Sequence, residues 1–443
     1  MKRFVLFFMM ALLLALSHCV EKPGRLNVVI ITIDALRADH LSLYGYQLKT
    51  SPNIDRFARD AWVYESAFCT IPKTSASIAS MLTGLHPSVL KIKPNLGTLR
   101  EEFFTLAEAL KRRGYVTGAS VFNGNLDRDF GFAQGFDLYD EVWKREGNKE
   151  ASAALITETA LRFIEKHRDK PFFLWLHYID PHAPYQPGER WVVKQERGKD
   201  IREVKKKIVV GEGNWVHLNL HPYSGYYVAR YDGEIRKVDF YVGKVLQKLR
   251  EEGLLKRSVV IISADHGEEL GEHNLFFDHG PLPFNSSARI PLILHLPREK
   301  PRRIREAVSL MDVTPTVAEL LGFKFPYPLT GTSLLKPEPH RRLLILGLMG
   351  HAVVSYPEKL NFISERGRKH LGLSAYYLYD ISSDPLEMHP LPLSSIKISR
   401  LARLRDRLLK EYQRESRRFK GRKRRGKISK KTLENLRSLG YVK

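Results

Sequence analysis

Two distant segments of the chain share one pattern, an apolar and largely β-branched run that ends at an acid. The first run covers 28–33 and ends at Asp34, and the second covers 259–264 and ends at Asp265, with His266 directly after it. Such runs are typical of strands that are buried on both faces of a sheet. Open α/β sheets bind their ligands at the carboxyl ends of the strands, so both acids are candidate site residues.

The rest of the chain alternates between buried strands and helices. The predicted strands are 28–33, 64–68, 115–122, 172–177, 258–263 and 290–296, and the predicted helices cover 106–112, 153–167 and 227–252. This rhythm predicts an α/β fold with a largely parallel sheet that is covered on both faces. Shorter strands at 343–346, 352–356, 360–364 and 376–381 predict a second, antiparallel sheet.

The N-terminus has the pattern of an export signal. Two basic residues precede an apolar run over 4–16, which is shorter than the roughly 20 residues that span a bilayer. We therefore predict a signal peptide over 1–19 and a location in the periplasm or at the cell surface. The sequence Leu-Ser-His-Cys at 16–19 is similar to a bacterial lipoprotein cleavage box. Cys19 is then either acylated as a lipid anchor, or the segment is simply cleaved or kept as an uncleaved anchor.

Cysteine usage excludes an internal disulfide framework. Only Cys69 remains after Cys19, so the mature chain has a single thiol despite its predicted export. We predict that Cys69 is a buried structural thiol and not a nucleophile.

The C-terminus carries much of the formal net charge of +23, with seventeen Lys and Arg against three acids between residues 397 and 431. Leu401, Leu404, Leu408 and Tyr412 fall at helical spacing and predict an amphipathic helix. The run over 420–427 has no apolar face and is predicted to be a solvated tail. An anionic membrane surface or cell-wall polymer is a more natural partner than nucleic acid, because the protein is predicted to be exported.

These boundaries divide the chain into four parts. They are the signal peptide at 1–19, a catalytic domain at 26–340, a small C-terminal sheet subdomain at 341–395, and a basic helix and tail at 396–443.

A hydroxyl-rich turn begins at Thr74 and feeds a predicted helix that ends at Gly84. The N-terminus of a helix offers backbone N–H groups and a positive dipole end, and both favour an anionic tetrahedral ester. Ser and Thr are also common helix caps, so this segment alone leaves both interpretations open.

Asp34, Asp265 and His266 offer oxygen and nitrogen ligands without thiolates. That set suits one divalent ion, either Ca²⁺, Mg²⁺, Mn²⁺ or Zn²⁺, and leaves room for a second. Thr74 offers an alkoxide if a metal ion lowers its pKa, and is a candidate metal ligand as well as a nucleophile.

Three histidines follow strand ends and are candidate catalytic residues: His177, His182 and His279. Each could bind a sulfate or phosphate group or protonate a leaving oxygen. A single histidine is usually structural, but three on such loops favour a site role for at least two.

At this point the chain resembles the sulfatase family of the alkaline-phosphatase superfamily. The matching segments lie in the family's order over nearly the whole mature chain: 33–39, 74–84, 172–184, 230–235, 263–273, 378–385 and the ending 436–442. The resemblance implies a sandwich with a large mixed, mostly parallel sheet and a small C-terminal antiparallel sheet. It also implies one or two metal ions at the carboxyl ends of the strands.

The resemblance carries metal roles to particular residues. Asp34 matches the family's first metal aspartate, and Asp265 with His266 matches the later metal pair. The family often has a second acid beside the first aspartate, and Ala35 stands there in this chain.

Two further histidines match the side of the site that contacts the ester. His182 matches the histidine of a Pro-His-x-Pro loop, and His279 lies where sulfatases place a Lys or His. The family's Gly-Lys-Trp-His segment is missing, because the sequence near 121–124 contains neither the Lys nor the His.

The nucleophile segment departs from the sulfatase pattern Cys/Ser-x-Pro-x-Arg, whose first residue is oxidised to formylglycine. Thr74 stands at that first position, Ala76 at the proline and Ile78 at the arginine. Threonine cannot yield formylglycine, and threonine nucleophiles are typical of the superfamily's phosphodiesterases and phosphotransferases.

The sequence therefore predicts a metal-dependent hydrolase of sulfate or phosphate esters with Thr74 as the nucleophile, and phosphotransfer remains open. The alternatives are a sulfuric ester hydrolase without formylglycine, and an inactive sulfatase-like binding protein. The expected partner is an anionic ester, such as a cell-envelope glycan or lipid, and the charged segment 191–216 is expected to act as a lid that selects it.

Overall fold

The computed structural model describes residues 25–145, 149–194, 198, 223–419, 428–439 and 441. The predicted signal peptide with Cys19, most of the segment 191–216 and the basic run 420–427 lie outside the described residues. Within the described ranges, no helix combines the length and the apolar character that a membrane crossing requires.

The strands of the described ranges form two sheets. They are β1 Asn27–Ile33, β2 Trp62–Phe68, β3 Val116–Val121, β4 Leu138–Glu141, β5 Phe172–Tyr178, β6 Ser258–Ala264, β7 Arg289–His295, β8 Arg302–Ile304, β9 Val308–Ser309, β10 Arg342–Leu346, β11 Gly350–Ser355, β12 Glu358–Ile363 and β13 Tyr376–Asp380.

The helices surround these sheets. They are α1 Pro52–Ala58, α2 Thr74–Thr83, α3 Pro87–Leu90, α4 Leu106–Arg112, α5 Val142–Arg145, α6 Ser152–His167, α7 Ser224–Glu251, α8 Asn285–Ala288, α9 Val313–Leu320, α10 Glu365–Leu371, α11 Ser395–Ser416 and α12 Lys430–Ser438.

The large sheet has the strand order β4-β3-β5-β1-β6-β7-β2-β8, and β9 also pairs with β2. Strand β7 runs antiparallel to β6 and β2, and the other described pairings are parallel. Every residue of β1, β5 and β6 is buried, because these strands have neighbours on both edges and are covered on both faces. The predicted mixed, mostly parallel sheet is confirmed.

The small sheet has the order β10-β11-β12-β13, and all of its pairings are antiparallel. The prediction of a second, antiparallel sheet is confirmed. Cys69 is buried at the end of β2, as predicted for a structural thiol.

The C-terminal helix α11 contains the predicted apolar stripe. Leu401 and Tyr412 are buried, and Leu404 and Leu408 pack against the core as partly buried side chains. The ring of Tyr412 stacks on His86 with the ring centroids 4.1 Å apart. The amphipathic helix is therefore confirmed, and its apolar face covers the main core.

Candidate active site and metal centre

Strand register brings the two acids of the repeated pattern together. Ile33 of β1 pairs with Ala264 of β6 in a parallel ladder, so the next residues, Asp34 and Asp265, leave the sheet side by side. Asp34, Asp265 and His266 are fully buried, and each offers one ligand atom within 4.8 Å of the others. The structure thus brings the three predicted metal ligands into one cluster.

One oxygen of Asp34 is held in place and the other faces the cluster. Oδ2 accepts a hydrogen bond from Asn123 Nδ2 at 2.7 Å, and His177 Nε2 lies 3.3 Å from the same oxygen. Oδ1 is buried and has no hydrogen-bond partner within the described ranges. A buried carboxylate oxygen without a donor is costly unless a cation binds it.

The two carboxylate oxygens of Asp265 also differ, one being hydrogen-bonded and the other not. Its Oδ1 accepts from the backbone N–H groups of Ala35, at 3.3 Å, and His266, at 2.9 Å. Its Oδ2 has no hydrogen-bond partner in the part of the chain that the structure describes. Ala35 adopts the left-handed region with φ of 57°, which is uncommon for a residue other than glycine and is typical of functional turns.

The orientation of His266 completes the cluster. Its Nδ1 lies 2.9 Å from the carbonyl oxygen of Gly267 and therefore carries the proton, which leaves a lone pair on Nε2. Nε2 lies 3.6 Å from Oδ1 of Asp34 and 3.4 Å from Oδ2 of Asp265. Three atoms with lone pairs thus converge in a buried space, so these residues fit a divalent cation.

The electrostatics of the cluster follow from burial and from its neighbours. Burial and the charge of Asp34 raise the pKa of Asp265 well above its ordinary value. Burial also opposes ionisation of Asp34, but the hydrogen bond with His177 and nearby histidines hold its pKa below its ordinary value. Burial lowers the pKa of His266 to about 4, so the imidazole is neutral as a metal ligand requires.

Thr74 is the first residue of α2 and is fully buried. Its Oγ lies 3.4 Å from Nε2 of His266, which places the hydroxyl beside the cluster. The helix is fixed there by Ser77, whose hydroxyl donates to the carbonyl oxygen of Asp265 at 2.6 Å. The predicted nucleophile and the predicted metal ligands therefore share one site.

Two of the three candidate histidines lie in this group. The ring of His279 stacks on His266 with centroids 4.1 Å apart and meets His182 edge-on at 5.1 Å. Nδ1 of His279 lies 3.4 Å from Glu268 Oε1, and Nε2 has no hydrogen-bond partner within the described ranges. Nδ1 of His182 lies 2.7 Å from the carbonyl oxygen of Ala183. Burial lowers the pKa of both imidazoles, so both are neutral.

His177 has a different environment. It pairs with Thr32 across β1 and β5, and its Nδ1 lies 2.8 Å from the Thr32 hydroxyl oxygen. Its Nε2 contacts Asp34, as described above. This geometry gives His177 the means to orient Asp34.

Other described side chains at the site were not predicted from the sequence, among them Lys73, Asn123 and Tyr441. Lys73 is 6% exposed, with its Nζ 3.7 Å from Asp278 Oδ1, and its charge contributes to the lowered pKa of His279. The hydroxyl of Tyr441 lies 2.8 Å from Nε2 of His182. The position of Lys73 directly before the hydroxyl-rich turn was a usable sign of a site role. No sequence pattern distinguished Asn123.

The family of the chain is shown by comparison with known proteins. The sulfatase family description matches residues 26–323, which is more than half of the chain. The chain therefore belongs to the sulfatase family, and the resemblance drawn from the motifs is confirmed. It is a sulfatase-family hydrolase.

Similar proteins act on more than one kind of ester. An arylsulfatase of Clostridium perfringens is 25% identical over 473 residues, covering 87% of this chain and 94% of that protein. The phosphonate monoester hydrolase of Agrobacterium radiobacter has a crystal structure with a TM-score of 0.71 and 19% identity, covering 88% of this chain and 96% of its own. A third protein, solved in complex with its substrate D-glucosamine-2-N,6-O-disulfate, has a TM-score of 0.71 and 18% identity. The match covers 89% of this chain and 99% of that protein.

Proposed function

We propose that the protein is a metal-dependent hydrolase of phosphate or phosphonate esters, with Thr74 as its nucleophile. One observation carries the proposal: the Thr74 hydroxyl lies 3.4 Å from His266 Nε2, beside the two partnerless oxygens of Asp34 and Asp265. The similarity to a phosphonate monoester hydrolase also supports a phosphorus ester.

Asp34, Asp265 and His266 would hold the metal ion, and Thr74 would contact it. A divalent ion bound there supplies positive charge that lowers the pKa of an adjacent hydroxyl and stabilises negative charge on the ester group. Metal analysis of the purified protein distinguishes Ca²⁺, Mg²⁺, Mn²⁺ and Zn²⁺. It also shows whether a second ion is bound.

The remaining chemistry belongs to the chain's own side chains. The oxygen of Thr74 forms a bond to phosphorus while the bond to the leaving oxygen breaks, which gives a phosphothreonine that water then hydrolyses. Nε2 of one neutral imidazole, His182 or His279, accepts the Thr74 proton, and the leaving oxygen, in line on the opposite side of phosphorus, takes a proton from the other histidine or from water. The ammonium group of Lys73, whose charge acts on His182, His266 and His279, would attract the anionic ester.

A sulfuric ester is the second candidate substrate, because similar proteins include an arylsulfatase and a structure bound to a disulfated glucosamine. Thr74 would then attack sulfur without formylglycine. Transfer of the phosphoryl group to an alcohol in place of water is a further variant of the same chemistry.

The natural setting is proposed to be the cell envelope. The apolar run over 4–16 supports export, and Cys19 supports a lipid anchor. A glycan or lipid of the envelope that carries an anionic ester is the proposed substrate class. The basic C-terminus would assist binding to an anionic membrane surface.

Variants of Thr74 test the proposal. We expect Thr74→Ala to lower kcat with bis(para-nitrophenyl) phosphate at least about 1000-fold, and Thr74→Ser to retain measurable activity because it keeps the hydroxyl. Thr83→Ala is the matched control, since Thr83 lies on the same helix and its hydroxyl donates to Ala79 at 2.7 Å. Each protein is assayed with each of the four metal ions.

The substrate panel decides between the candidates. The assay also includes para-nitrophenyl phenylphosphonate and para-nitrophenyl sulfate. Faster turnover of the sulfate than of both phosphorus esters favours the sulfuric ester hydrolase. The absence of bound metal and of turnover with every probe favours a binding protein. Full activity of Thr74→Ala under saturating metal contradicts the assignment of the nucleophile.

A further inference from the structure

The last helix of the chain, α12, docks on the loop that follows β3. Asn435 Oδ1 accepts a hydrogen bond from the backbone N–H of Gly124 at 2.7 Å, and Lys431 Nζ donates to the carbonyl oxygen of Lys144 at 2.7 Å. A Cβ atom on Gly124 would lie 2.9 Å from Asn435 Oδ1 and 3.0 Å from Cγ of the buried Leu436. Glycine at this position therefore permits the close approach of the helix.

This docking brings Tyr441 into the active site. Its hydroxyl oxygen lies 2.8 Å from Nε2 of His182 and 3.4 Å from Oγ of Thr74. Since Nδ1 of His182 donates to Ala183, its Nε2 is an acceptor, and the Tyr441 hydroxyl must be the donor. A hydrogen-bond donor from the chain's end thus lies next to the proposed nucleophile.

The side-chain amide of Asn123, in the loop that receives α12, is already engaged, because its Nδ2 donates to Asp34 Oδ2 at 2.7 Å. A tetrahedral anion that reacts with Thr74 needs donors directed at its oxygens, because negative charge develops there. Residues 121–124 include neither Lys nor His. Helix α12, which precedes Tyr441, binds this same loop through Asn435, more than 300 residues away in the sequence.

We infer that Tyr441 is a catalytic residue, whose hydroxyl donates a hydrogen bond to an oxygen of the bound ester group. The inference rests on the proposed function, because Thr74 marks where the ester binds. When the ester enters, the hydroxyl turns from His182 to the ester oxygen. Nε2 of His182 is then free to accept the proton of Thr74.

The substitution Tyr441→Phe tests the inference, because it removes the hydroxyl and keeps the ring. We expect kcat/KM for bis(para-nitrophenyl) phosphate to fall about 100-fold, the lower end of the range for loss of one oxyanion donor. The affinity for inorganic phosphate, measured by calorimetry on the metal-loaded protein, should fall as well. Tyr412→Phe is the matched control, since this tyrosine also lies in the C-terminal part and stacks on His86.

A double-mutant cycle tests how Tyr441 is positioned. Asn435→Ala removes the acceptor for the Gly124 N–H and should lower kcat/KM in the wild-type background. The same substitution should have little further effect in Tyr441→Phe, because the hydroxyl that it positions is gone. Full additivity of the two losses would contradict the proposed link between the helix and Tyr441.

The possible outcomes separate this inference from the proposed function. Turnover and phosphate affinity of Tyr441→Phe that match those of wild type would overturn the inference, as would a gain in activity, which would make Tyr441 a plug of the site. If Tyr441→Phe loses activity while Thr74→Ala keeps full activity, the role of Tyr441 is supported and the assignment of Thr74 as the nucleophile is wrong. If wild type turns over none of the probes, phosphate affinity alone decides on Tyr441.

Discussion

The two sides of the site are built in different ways. The proposed metal side consists of Asp34, Asp265 and His266, which leave two adjacent strands of the buried sheet at the same level. The proposed ester side includes Tyr441, whose position depends on the docking of α12 on the loop after β3. Sheet register therefore fixes the acids rigidly, while the donors for the ester depend on distant parts of the chain. The first arrangement depends on neighbouring strands, and the second depends on segments that only tertiary packing brings together.

The largest expected effect tests the metal side. Asp265→Asn removes a proposed metal ligand and should lower kcat/KM at least about 1000-fold, which corresponds to the loss of about 4 kcal/mol of transition-state stabilisation. Metal analysis of the purified variant should find no stoichiometric ion. Retention of both metal and activity would contradict the assignment of Asp265.

Thermal unfolding of the same variant provides a second readout. Without metal, Asp265→Asn should unfold at a higher temperature than wild type, because it removes a buried carboxyl whose ionisation Asp34 opposes. Added metal should raise the Tm of wild type and leave that of the variant unchanged. If metal-free wild type is more stable than the variant, repulsion between Asp34 and Asp265 does not destabilise the folded protein.

A smaller effect is expected from His177, which contacts Asp34 and not the proposed ester position. The amide of asparagine mimics Nδ1 of histidine, and that of glutamine mimics Nε2. We therefore expect His177→Asn to lower metal affinity about 10- to 100-fold, as is typical for groups that orient ligands, and His177→Gln to lower it less. Calorimetric titration with the metal measures both. Equal affinities in wild type and in His177→Asn would assign His177 a role other than orienting Asp34.

The last prediction concerns stability and not catalysis, in the C-terminal part that carries Tyr441. Burial lowers the pKa of His86 to about 3, and its ring supports Tyr412 of α11. Because the unfolded chain binds this proton near pH 6.5 and the folded chain does not, the free energy of unfolding should fall as the pH falls from about 6.5 to 3. The slope due to this one group approaches about 1.4 kcal/mol per pH unit.

Urea unfolding of wild type and His86→Gln across this pH range measures that contribution. The variant lacks the titrating imidazole, so its stability should depend less steeply on pH. If the free energy of unfolding depends equally steeply on pH in the two proteins, protonation of His86 does not destabilise the folded protein in acid.

The contrast between the two sides also explains what the sequence could predict. Asp34 and Asp265 each follow an unbroken apolar strand, so their place at the carboxyl edge of the sheet followed from a local pattern. Thr74 was found through the hydroxyl-rich start of a helix. Tyr441 was not found, because its partner His182 lies 259 residues away and only tertiary packing joins them. Its segment was noted for its family resemblance alone, without a role.

The same limit applies to the fold. The order and type of the predicted strands followed from apolar runs and turn residues, and the structure contains each of them with ends shifted by a few residues. The antiparallel placement of β7 could not be predicted, because it depends on pairing with β2, a strand more than 200 residues earlier.

The most direct test of the account is the mass of the protein during turnover. Metal-loaded wild type is mixed briefly with bis(para-nitrophenyl) phosphate, quenched in acid and analysed as intact protein and as peptides. We predict an added phosphoryl ester group on the peptide that contains Thr74, and no adduct in Thr74→Ala. An adduct on another residue, or rapid turnover without any adduct under conditions that trap it in acid, would contradict a threonine nucleophile.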